Sequence, residues 1–178
     1  MAMGTFAQAA SRPGPGYFSA LVLLTLLHCL PAAAQQPPKI SELSYVDHQY
    51  MASQRATLDE LARTGLGRQF NGDKNSDLAI LQALLDRRLV RADQKRELQA
   101  MGVIMGELLA DELDMDWVIY EDNIGRSRAL RYRESDNYLF PMTMISRRRE
   151  ADNLSPVTNI YQRALDLIVP HLPKLPFQ

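Results

Sequence analysis

Gly102-Val103-Ile104-Met105-Gly106-Glu107, then Asp116-Trp117-Val118-Ile119-Tyr120, a turn at Asn123-Ile124-Gly125, and two more strand-like runs ending in Arg147-Arg148-Arg149: the reading of this stretch decides the fold. The first run belongs to a helix opened near Asp93, whose buried stripe is Leu98, Met101, Met105 and Leu108 at three- and four-residue steps. Gly102 and Gly106 sit one turn apart on one side of it. Each glycine costs a helix about 1 kcal/mol relative to alanine, so the pair marks a place where the sheet, or Trp117, comes close to the backbone.

After the helix the composition turns β-rich. Trp117 and Ile119 face one way, Val118 and Tyr120 the other. Asp122 to Gly125 is hairpin chemistry, with Gly125 supplying the turn. A second strand runs from Arg126 to Tyr132 with arginines on both faces, and a third from Tyr138 to Ile145, where Pro141 removes a ladder donor and so marks an edge or a bulge.

Outward from this stretch, apolar residues Leu43, Val46, Tyr50, Leu58 and Leu61 outline a first helix ending near Gly65-Leu66-Gly67. Asn71 to Asn75 is a turn, and Asn75 or Ser76 caps a second helix carrying Leu78, Leu81, Leu85 and Leu89. Ser155-Pro156 opens a last helix with Val157, Ile160, Tyr161, Ala164 and Ile168. The expected fold class is α+β, helices packed on a three-stranded antiparallel sheet, in the order helix-helix-helix-strand-strand-strand-helix.

The ends set compartment and size. Residues 1–34 read as a cleaved secretory signal: an apolar core of roughly 13 residues around Ala20 to Leu27, too short for a transmembrane helix, followed by Pro31 and small residues at Ala32 and Ala34. Cys29 follows His28 rather than a small residue, which argues against a lipid anchor. Residues 35–39 form a Pro-containing tether, and 40–178 a single domain able to bury about two thirds of its unfolded surface. The expectation is a periplasmic protein without stable membrane insertion once the signal is removed.

Cleavage removes the only cysteine, so disulfide, thiolate and cysteine-nucleophile chemistry are excluded from the mature domain. His48 and His171 stand far apart without carboxylates at ligand spacing, so no metal and no cofactor is expected. Without Arg12 the mature chain carries 19 bases against 21 acids, which gives no footprint for nucleic acid. Met101, Met105, Met115, Met142 and Met144 read as core packing rather than copper ligands.

Charge is unevenly placed. Arg126, Arg128, Arg131, Arg133, Arg147, Arg148 and Arg149 fall within 24 residues, while Asp93 to Asp122 holds nine acids. In one reading, helix and sheet neutralise each other. In the other, Arg126, Arg128, Arg131, Arg147 and Arg148, with Tyr132 and Tyr138, make a face that grips carboxylates through the planar guanidinium fork. Glu107, beside the glycine notch, either pairs with a strand arginine such as Arg128 or Arg131, or serves with Asp116 or Asp122 as acid and base. Gly102, Gly106, Trp117, Gly125 and Pro141 have structural roles.

The run from Gly106-Glu107 through Asp116 to Asp122, Gly125-Arg126, Ala129-Leu130-Arg131, Phe140-Pro141-Met142 and Ile145-Ser146-Arg147-Arg148 resembles an uncharacterised bacterial family, a domain of unknown function common in pseudomonads. The likeness covers roughly Ile40 to Gln178 and implies a signal peptide before a small α+β domain. It lends no activity and no catalytic residues. A looser likeness of layout to bacterial immunity-type proteins is an analogy of fold. The functional expectation is a non-enzymatic periplasmic binding protein for an acidic protein or envelope polymer; the alternative is a periplasmic hydrolase acting on such a polymer through Glu107.

Overall fold

The computed structural model describes residues 37–172. The signal reading and the start of the tether lie outside the described residues. Lys39, read as tether, instead opens strand β1 (Lys39–Glu42). Then come α1 (Tyr45–Leu66), α2 (Lys74–Asp86) and α3 (Lys95–Leu113), followed by β2 (Met115–Glu121), β3 (Arg126–Tyr132) and β4 (Tyr138–Leu139). After these come the short helices α4 (Pro141–Met144) and α5 (Ser146–Glu150), then α6 (Val157–Ile168), which a 3-10 turn (Val169–His171) follows. Among the described residues no helix is long and apolar enough to cross a membrane.

The sheet has four antiparallel strands in the order β1-β2-β3-β4, not three. The sequence reading misses β1 because a four-residue strand carries almost no periodic signal, and its partner is remote in the chain: Lys39 faces Glu121 and Glu42 faces Val118. It also makes the last strand too long. In β4 only Tyr138 and Leu139 pair with β3, opposite Arg131 and Leu130.

Pro141 accounts for that shortening. The Tyr132 N–H bonds the Asn137 carbonyl, and Leu130 faces Leu139, so the next residue of β4 to bond β3 would be number 141, opposite Arg128. Proline has no N–H to give there, and its fixed φ suits the first turn of a helix. The chain leaves the sheet as α4.

What α4 turns toward is the glycine notch. A Cβ added to Gly102 would meet the Met142 Cα and the Pro141 carbonyl oxygen, both at 2.5 Å. One added to Gly106 would strike the Trp117 ring, and the Pro141 Cβ at 2.9 Å. Both α4 and the indole of β2 therefore lie against α3 where it lacks side chains.

Helix α1 begins with a capping box: the Ser44 Oγ accepts from the Asp47 N–H at 3.3 Å, and the Asp47 carboxylate accepts from the Ser44 N–H at 3.1 Å. Its buried stripe is Asp47, Met51, Gln54, Leu58 and Ala62, which keeps Leu58 of the apolar stripe expected from sequence but is otherwise rotated by about one position, leaving Val46 exposed. Asp73, not Asn75 or Ser76, caps α2, accepting from the Ser76 N–H at 2.7 Å. Gln94 rather than Asp93 stands at the start of α3, without a side-chain cap, and Asp93 pairs with Arg91.

The main core gathers apolar side chains of α2, α3 and α6 with Leu58, Leu130 and Leu139. A second, smaller cluster consists of Met51, Val103 and Met142, bordered by Leu43, Tyr50 and Trp117.

Candidate functional site: an arginine cleft on the edge of β3

Side chains alternate across a strand, so Arg126 and Arg128 share the helix-side face of β3, and Arg131 stands on the opposite one. On the helix side they meet Asp47. Arg126 donates to both of its carboxylate oxygens, from Nη1 at 3.0 Å and from Nη2 at 2.7 Å, and the Arg128 Nη2 lies 2.7 Å from Oδ1. The Asp47 side chain is only 2 % exposed. The Arg126 bonds hold its carboxyl far below the usual carboxylate range, helped by Ser44 and Arg128 and opposed by burial.

Arg128 is further fixed by Tyr50, whose ring centroid lies 4.2 Å from the guanidinium carbon. Its Nε is buried and has no hydrogen-bond partner among the described residues. Both strand arginines open onto a cleft of about 510 Å³, within the range of small-ligand and peptide sites. Arg147 reaches the same cleft from α5; it is exposed and has no salt bridge among the described residues. Tyr50, Tyr120, Phe140 and Met142 supply its apolar walls.

The other arginines are employed elsewhere. Arg131 donates to the carbonyls of Ser135 and Glu134, both at 2.8 Å, and packs on Tyr138. Arg133 lies over Tyr132, which is itself a buried core ring. Arg148 donates to the Met144 carbonyl at 2.6 Å, and Arg149 is buried. Only Arg126, Arg128 and Arg147 of the run converge.

Glu107 does not pair with a strand arginine. It binds Arg55 of α1, in a half-buried site where desolvation raises its pKa against the pull of Arg55. Asp116 is exposed on the outer face opposite Arg131. Asp122 lines the cleft, but its Oδ1 accepts the N–H groups of Ile124 and Gly125 at 2.8 and 3.0 Å, holding the hairpin turn. Gly125, at φ 150°, occupies backbone space that side chains rarely enter. Among the described residues no three His, Cys, Asp or Glu side chains gather as a metal site.

Of the acids from Asp93 to Asp122, Asp114 at the end of α3 lies 3.7 Å from Arg133 of the basic run, as the neutralising reading has it, whereas Glu107 and Glu112 pair with other helices. Glu112 pairs with Lys74 of α2 and accepts the Tyr161 hydroxyl at 2.6 Å. Sequence reasoning missed Asp47, Tyr50, Tyr120 and Phe140. The one available signal was the spacing Ser44-x-x-Asp47, which announces a helix start but not the arginines that use it.

Comparison with known proteins adds a fold and a domain. No curated protein matches the chain. A crystal structure from Bacteroides thetaiotaomicron VPI-5482 is similar at TM-score 0.67 and 20% identity, over 74% of this chain and 48% of that one. At that identity the likeness is one of fold, and this chain spans about half the length of the solved protein. A DUF3806 domain, a domain of unknown function, is found at residues 77–161.

Proposed function

We propose that this chain is a non-enzymatic binding domain, exported to the periplasm, which takes an anionic ligand in the cleft of Arg126, Arg128 and Arg147. The partner is an acidic protein or an envelope polymer. One observation carries the reading: the buried Asp47 and the Tyr50 ring hold the Arg128 guanidinium in one orientation at the cleft wall. A guanidinium that is already oriented loses little side-chain entropy on binding a carboxylate. Arg147, which has no salt bridge among the described residues, adds charge to the same wall. The export half rests on the apolar run Ala20 to Leu27 before Ala32 and Ala34. The finer family reading, a secreted bacterial domain common in pseudomonads, rests on the strand and Ser-Arg-Arg motifs.

Acid–base work by Glu107 draws less support, because its carboxylate is taken by Arg55 and of the three acids only Asp122 lines the cleft. The binding reading is tested by following the arginine Nε–H resonances while poly-glutamate is added. Those of Arg128 and Arg147 should move together and return when salt is raised. Movement confined to Arg131, Arg133 and Arg148, or none at all, would remove the cleft as the binding site.

A further inference from the structure

We propose that the ligand in this cleft is an extended peptide that adds as a strand to β3, with acidic side chains toward the arginines and apolar ones toward the aromatic rings. The inference rests on the binding reading above and names its partner class.

The edge itself is the first observation. β3 is paired along its whole length with β2, whereas β4 covers it only at Leu130 and Arg131. From Arg126 to Ala129 one side of the strand has no partner strand. Which backbone groups point there follows from the alternation of antiparallel bonding. The Asp122 N–H bonds the Gly125 carbonyl, so residues 127, 129 and 131 bond β2, while 126, 128 and 130 face the other way. The Tyr132 bond to Asn137 has the same parity. Arg126 and Arg128 thus aim their N–H and C=O groups away from β2, and Arg126 and Ser127 are exposed. An open row of this kind is a template for another strand.

The cleft lies along this edge and is two-faced. Tyr120 pairs with Ser127, so its ring stands on the face opposite Arg126 and Arg128, where it meets Phe140 at 5.3 Å between centroids. A strand laid beside β3 would send alternate side chains toward the cations and toward these rings. Charge complementarity makes the first set acidic, and the rings make the second apolar. Ile124, 90 % exposed at the hairpin tip, extends the apolar rim beyond what a small carboxylate would cover.

The test uses the full chain and two probes: a capped hexapeptide alternating glutamate and valine, and free glutarate. The peptide should slow amide exchange at Arg126 and Arg128 about tenfold or more by closing those N–H groups. Methylating its backbone nitrogens at one alternate set should abolish that protection, and methylating the other set should leave it. If glutarate and both methylated peptides move the Arg128 and Arg147 Nε–H resonances alike, with no amide protection, strand addition is overturned and the arginine cleft stands. If neither probe moves those resonances, both readings fall together.

Discussion

A carboxylate with 2 % of its side chain in water keeps its charge only where cations are brought to it, and at Asp47 the cations are Arg126 and Arg128. Changing it to asparagine keeps the shape and leaves two arginines facing a neutral amide. Asp47→Asn should cost about 2–3 kcal/mol at neutral pH, discounted because Arg126 is well exposed. The sign follows from the depressed pKa: the stabilisation is complete above the ordinary value of 3.8 and fades as pH falls below it. Urea unfolding should therefore separate the two proteins at neutral pH and bring them together in acid. Equal midpoints at neutral pH would sink this role for Asp47.

Asp47 was illegible in the sequence for a definite reason. Hydropathy places Val46 and Tyr50 on the buried stripe and an aspartate in water, and the partner that reverses this stands 79 positions along the chain. Gln54 is a parallel case: it sits in the buried stripe of α1, yet neither of its amide atoms has a partner among the described residues.

At the scale of elements, local chemistry was readable and truncation was not. The hairpin from Met115 to Tyr132 stands where its alternation and its Asx-Gly turn place it. The glycine pair signalled a close approach, but nothing in the sequence named α4 as what approaches Gly102, because the run from Tyr138 to Ile145 has strand-like composition. The notch can be tested by comparison. At Gly102 an added methyl meets fixed backbone, whereas at Gly65 it meets the ends of the Leu89 side chain, which can rotate away. Gly102→Ala should destabilise by about 1–3 kcal/mol and Gly65→Ala by much less, since only the first forces α4 outward. Thermal unfolding of both variants decides it; equal losses would mean that α4 yields and the notch is not what holds it.

For the whole molecule, the sequence led to a mixture of helices and antiparallel sheet and to a cluster of arginines, while the cleft could not be read from it. The cleft is assembled from α1, the β2–β3 hairpin and the α4–α5 segment, none of which signals the others in sequence. Its parts depend on one another in order. Glycines admit α4 to α3, Pro141 takes the chain off the sheet, β3 is left open, and Asp47 sets the arginines along the opening. Seven arginines in sequence become three in space, and this makes the account testable by charge removal at chosen places. Arg147 and Arg133 belong to the same basic run, but only Arg147 lines the cleft. Calorimetric titration of the glutamate–valine hexapeptide into the wild type, Arg147→Gln and Arg133→Gln is the most direct measurement. The account expects about a tenfold loss for Arg147→Gln, the worth of one charge-assisted hydrogen bond, and no change for Arg133→Gln; equal losses in both variants would contradict it.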